Sequence, residues 1–143
     1  MNTQAHGASR IQASKYDVPT TVALLKKELE GRGIPIFAEF DHQRNAQEVQ
    51  LELRETRVLV FGAPAVGTLL MQENQSIAFE LPLRIAVWQE KNGAVFLAVP
   101  DMDLLAAAYG LGHLPAVGKI RDLLEILARI VSEPADLSGA RPF

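Results

Sequence analysis

The sequence predicts an α+β fold: an antiparallel sheet in β-α-β-β-β-β-α order, two long helices on one face, and short inserted helices. Three observations predict it. Residues 18–29 and 117–131 each carry apolar side chains at three-to-four spacing, the pattern of a helix with one greasy flank. Four consecutive strand-like runs lie between those helices, an order that favours an antiparallel sheet. Two of the runs meet at Asn92-Gly93, a pair suited to a tight hairpin.

Each element has its own signal. "RIQAS" alternates weakly through Ile11 and Ala13 and predicts a first strand ending near Tyr16. "DVPTTVALLKKELEGRG" is a helix with marked ends: Asp17 caps the first turn, Pro19 is tolerated there, and Gly31 and Gly33 end it. Val18, Val22, Leu25 and Leu29 form its stripe. "IPIFAEFD" is a second strand, with Ile36, Ala38 and Phe40 expected on one face and Phe37, Glu39 and Asp41 on the other. "HQRNAQEV" reads as a helical turn or a loop. "TRVLVFG" alternates little, which predicts a central strand covered on both faces. "PAVGTLLMQEN" is a short helix begun by Pro64. "LRIAVWQE" and "AVFLAV" flank the hairpin turn, with Leu83, Ile85 and Val87 opposite Arg84, Ala86 and Trp88. "DMDLLAAAYG" is a short helix capped by Asp101 or Asp103. The last helix carries Val117, Ile120, Leu124, Leu127 and Val131, with Leu123 and Ile130 beside them, and Pro134 closes it.

The chain has 143 residues, which suits one domain over 9–133 with flexible tails at 1–8 and 134–143. Hydrophobic residues make up 48% and charged residues 22%, the balance of a chain that folds. The net charge of -3, with Lys26-Lys27 the only adjacent basic pair, gives no basic stripe for nucleic acid. The absence of cysteine excludes disulfides, thiolate catalysis and cysteine-held metals, and fits a reducing compartment. "MNTQAHGASR" lacks the apolar core of a signal peptide, and no apolar run approaches the roughly 20 residues of a membrane span. The expectation is a soluble cytoplasmic protein with no cofactor.

Candidate chemistry is sparse. "VLVFGAPAVGTLLMQ" bears Gly62, Gly67 and Thr68 around a turn, but has neither the Gly-Lys-Ser/Thr of a phosphate loop nor the three glycines of a dinucleotide fingerprint. Thr68 offers a hydroxyl near a helix start, where anions are favoured. The competing reading is that Gly62 permits a sharp strand exit and Gly67 permits close packing. Asp41-His42 follows a strand end, where a carboxylate and an imidazole can do acid–base work. Neighbours in a strand point apart, however, and a turn cap beside a surface histidine is the plainer reading. His6 and His113 have no ligand spacing to His42, so no metal site is expected. No serine sits in a nucleophile elbow. Arg57, Arg84 and Trp88 are sheet residues that can line one face to clamp an acid or stack on a ring. Otherwise Arg84 pairs with Glu39 or Glu55 at the rim, and Trp88 fills the core or a subunit contact.

In combination these motifs resemble domain-of-unknown-function family 302. Asp41, His42 and Ala46 match its Asp-His pattern. Phe61, Gly62, Pro64, Gly67 and Thr68 match its Phe-Gly-Asn-Pro and Gly-Thr, with Leu70-Met71 after them. Leu81 to Leu83, Trp88 and Gly93 complete the series, over about residues 9 to 133. Ala63 stands where the family has asparagine, Glu80 where aspartate is usual, and Val99-Pro100 in place of a Tyr-Asn-like pair. The resemblance implies a TATA-binding-protein-like fold and a homodimer, and no settled activity; fold alone does not carry DNA binding.

Three functions follow as expectations. The first is a non-enzymatic module that binds a small ligand or partner, with Asp41, His42, Gly67, Thr68 and Arg84 facing one cleft and Phe61, Gly62 and Pro64 as its structural motif. The second is a small hydrolase or isomerase with His42 as base and Asp41 as orienting acid. The third is a purely structural module whose motif turn packs a subunit interface.

Overall fold

The computed structural model describes residue 7 and residues 9–132. Residues 1–6 and 8, the C-terminal tail, His6 and Pro134 lie outside the described residues. The elements run β1 (Ser9–Ser14), α1 (Val18–Gly31), β2 (Ile36–Asp41), α2 (His42–Glu48), β3 (Thr56–Phe61), α3 (Pro64–Glu73), a 3-10 turn (Gln75–Glu80), β4 (Leu83–Gln89), β5 (Val95–Pro100), α4 (Met102–Tyr109) and α5 (Pro115–Ser132). The five strands form one sheet in the order β1-β5-β4-β3-β2, and every neighbouring pair is antiparallel.

Register decides which residues face the helices. Phe61 pairs with Leu83, Leu59 with Ile85, and Val87 with Leu97. These residues point inward and are buried. The stripes of α1 (Val18, Val22, Leu25, Leu29) and α5 (Val117, Ile120, Leu124, Leu127, Val131) join them in one core cluster. Each leucine or isoleucine removed from water there contributes about 1.5–3 kcal/mol. The two long helices therefore share one face of the sheet. α1 lies over β3 and β4, α5 over β1 and β5, and the helices touch each other.

Local signals set the helix ends. Asp17 accepts a hydrogen bond from the Thr20 backbone N–H at 2.9 Å, capping α1. Gly33 takes a φ of 69° just past α1, which lets the Ile34 N–H return to the Leu29 carbonyl at 2.9 Å. Asp101 caps α4 through the Leu104 N–H at 3.1 Å.

Four local features differ from the expectations. A bulge between Ile36 and Ala38 breaks the alternation of β2. Ile36 pairs with Phe61 on the helix side, while Ala38 and Phe40 pair with Val60 and Val58 on the other side. β3 is interior, as expected, but no described helix covers its second face: Val58 and Val60 are only half-buried. Its weak alternation reflects apolar residues on both faces. The β4–β5 connection is a three-residue loop. Glu90 pairs with Ala94, the Gly93 N–H donates to the Glu90 carbonyl at 2.9 Å, and Gly93 alone takes a positive φ, 91°. Finally, β1 turns its polar side to the helices. Gln12 donates to the Ala128 carbonyl at 3.0 Å, and the Ser14 and Thr21 hydroxyls share a hydrogen bond at 2.6 Å. Ile11, opposite Ala98, therefore faces outward.

Two predictions follow from the packing. Leu97→Ala should lower the unfolding free energy by about 2–5 kcal/mol in urea titration. Leu104→Ala, at a side chain 51% exposed, should stay within about 0.5 kcal/mol. Equal losses would contradict the assignment of the core. The second concerns Tyr109, whose hydroxyl donates to Glu80 at 2.9 Å and ties α4 to the 3-10 turn. That hydrogen bond, with desolvation and the carboxylate charge, pushes the phenol above its ordinary value of 10.0. A raised folded value means the contribution is present below the ordinary value and lost as pH rises through the folded one. Alkaline titration of phenolate absorbance, with Tyr109→Phe subtracted, should show the elevation, and Glu80→Gln should bring the midpoint back down.

Candidate functional site

The chain leaves the core at Phe61, which is fully buried, and turns at Gly62, whose N–H donates to the Pro35 carbonyl at 3.2 Å. Pro64 occupies the first turn of α3, where its missing N–H costs nothing. Ala63 at the N-cap supplies no side-chain acceptor. The turn, the first half of α3, the bulge of β2, the Leu81–Leu83 segment and the start of α5 enclose a groove of about 620 Å³. Ile34, Val66, Met71, Leu81, Ile120 and Leu123 make its walls apolar. Phe37, thrown outward by the bulge and 51% exposed, stands over Gly62. Gly67 and Thr68 line the groove, and its charged lining residues are Arg32 and Lys119.

The glycines of this groove are informative. A Cβ built at Gly62 would lie 3.8 Å from the Phe37 ring and 3.9 Å from Pro82. One at Gly67 would lie 3.6 Å from Leu81. Those are ordinary van der Waals contacts, and neither glycine has a positive φ. Neither backbone strain nor tight packing therefore accounts for them. Both line the groove and add no side chain to its wall.

A second hollow, of about 570 Å³, opens on the other face of the sheet. Phe40, Val58, Ala86 and Ala98 form its floor as one row across β2, β3, β4 and β5. His42, Glu80 and Arg84 stand around it. The His42 ring stacks on Phe40 with centroids 6.3 Å apart. Arg84 is exposed and makes no ion pair among the described residues. Farther along this face, Trp88 donates its indole N–H to Glu90 at 2.6 Å and packs on Phe96.

The residues expected to share a cleft are thus divided. Gly67 and Thr68 belong to the groove, and His42 and Arg84 to the open hollow. Asp41 lines neither. It caps α2 through the Arg44 N–H at 3.0 Å and approaches Arg57 at 3.9 Å on the helix side. Asp41 and His42 share no hydrogen bond. Arg57 also departs from Arg84 and Trp88: its partner across the sheet is Val87, on the helix side. There Glu39 bridges Lys26 at 2.8 Å and Arg57 at 3.3 Å, so Glu39 does not serve Arg84. His113 is exposed between α4 and α5. Among the described residues no three His, Asp or Glu side chains converge as a metal ion would require.

Sequence reasoning missed Phe37 and Lys119. The bulge that turns Phe37 outward depends on pairing with β3, which no local pattern encodes. Lys119 sits beside Ile120 at the edge of the α5 stripe, and only tertiary packing brings that edge to the Gly62 turn.

The family model for Domain of unknown function DUF302 matches residues 11–133. The chain is similar to the fluoride-specific ion channel FluC 1 of Brucella suis biovar 1 (strain 1330), 34% identical over 99 residues, covering 69% of this chain and 39% of that protein. The FluC 1 of Brucella abortus biovar 1 (strain 9-941) is likewise 34% identical over 99 residues, covering 69% of this chain and 37% of that protein. The chain thus spans about two fifths of the length of these relatives. No helix among its described residues is long and apolar enough to cross a membrane. The crystal structure of an uncharacterised conserved DUF302 protein from Bacillus stearothermophilus has the same fold, with a TM-score of 0.72 at 19% identity, over 85% of this chain and 96% of that one. With the family model spanning all but the ends, this chain belongs to the family described as Domain of unknown function DUF302.

Proposed function

We propose that the chain is a non-enzymatic binding module that holds a small molecule in the groove beside α3 and works as a homodimer. The observation that carries this reading is the pair of glycines, 62 and 67, which line an apolar groove of about 620 Å³ although neither fold nor packing demands them. Ligand sites are commonly mostly apolar and about 300–1,000 Å³ in volume. The hydrolase or isomerase alternative draws no support from geometry, since Asp41 serves as a helix cap while His42 stacks on Phe40.

The dimer rests on the open sheet face. Ile11, Phe40, Val58, Ala86 and Ala98 form a continuous apolar row there, and α1 and α5 both lie on the opposite side. Arg84 and Glu80 give the hollow one charge of each sign, which a twofold contact pairs across its axis. The order of strands and helices is compatible with the TATA-binding-protein-like class, and the cysteine-free composition with the cytoplasm.

Sedimentation equilibrium should give twice the chain mass of 15.6 kDa. Ala86→Glu should return the single mass with an unchanged circular-dichroism spectrum. A dimer broken by Val66→Asp and not by Ala86→Glu would place the contact at the motif turn instead. A thermal-shift screen of small metabolites should find a binder that raises Tm by about 5–10 °C near a hundredfold excess over Kd. Gly67→Leu should abolish that shift and His42→Ala should leave it intact; the reverse pattern would contradict the groove.

A further inference from the structure

We infer that the groove selects a monocarboxylate with an apolar body, its tail against the Phe37 and Leu81 walls and its carboxylate at Lys119 and Thr68. The inference rests on the proposal that this groove binds a small molecule, and adds the chemical class.

Charge complementarity carries it. Among the described residues, the charged groups lining the groove are Arg32 and Lys119, both cations, with no carboxylate beside them. Arg32 is already engaged, its Nε donating to Glu28 at 2.7 Å. Lys119 has no ion pair among the described residues, so its ammonium is the uncommitted charge at the groove. The Thr68 hydroxyl, on the same groove, has no hydrogen bond among the described residues and supplies a second donor. An ammonium and a hydroxyl beside an otherwise apolar surface match one anionic group joined to a hydrocarbon body. A cationic amphiphile meets repulsion from Lys119, and a neutral one leaves the ammonium without its counter-charge. A polyanion is disfavoured because Lys119 is the single free cation at the groove among the described residues, and because the walls are apolar. Gly62 and Gly67, both lining residues, add no side chain of their own to the groove wall.

The test is calorimetric titration of the full chain with octanoate, 1-octanol and octylamine as probes. Octanoate should bind at one site per chain, about tenfold or more tighter than either of the others, from a charge-assisted contact. Lys119→Gln, at an exposed position, should bring octanoate down to the level of octanol, and Gly67→Leu should remove octanoate binding. Octanol binding as tightly as octanoate, with Gly67→Leu blocking both, would overturn the carboxylate selection while leaving the groove as a binding site. Octanoate binding unchanged by Gly67→Leu would overturn the groove itself. Absence of binding by all three probes overturns the inference, and the metabolite screen decides the underlying proposal separately.

Discussion

The structure depends on one packing constraint: two apolar helix stripes need cover, and the sheet offers both of them the same side. Leu59, Phe61, Ile85, Val87 and Leu97 provide that side, and α1 and α5 close over it. Once both helices lie there, no long helix among the described residues is left to cover the other side of the sheet. The open hollow with Phe40, Val58 and Arg84 follows from that allocation. So does the groove, which forms where α5 begins and where the chain must leave β3 to reach α3.

The division of the candidate residues has the same origin. A strand alternates sides, and Asp41 therefore faces the helix layer while Phe40, with His42 stacked on it, faces away. Gly67 and Thr68 lie on a helix that starts at the end of β3 and belong to the edge of the helix layer. Residues within one short motif, or in motifs close in sequence, can thus sit on opposite sides of a sheet. A catalytic pairing between Asp41 and His42 conflicts with the local geometry that makes Asp41 a helix cap.

Features governed by nearest neighbours were legible in the sequence. Asp17 as a cap, Gly33 as a helix stop, the stripes of α1 and α5 and the hairpin at Gly93 all depend on a few adjacent residues. Features governed by pairing were not. The bulge at Phe37 exists only in register with β3, and it moved Ile36 to the helix side while turning Phe37 over the groove. In β1 the polar residues Gln12 and Ser14 face inward because α5 and Thr21 offer them partners far along the chain or around a turn. A hydrophobic pattern alone assigns that strand's faces the wrong way round. The motif itself was visible, but the Lys119 that gives its groove a charge comes from a helix more than fifty positions later.

Methyl–methyl nuclear Overhauser contacts test the shared helix face most directly. Leu25 and Leu124 methyls should reach the set formed by Leu59, Ile85 and Leu97, and neither should reach Val58 or Val60. Contacts from either helix to Val58 or Val60 would put the helices on opposite sides of the sheet and contradict the architecture on which both hollows depend.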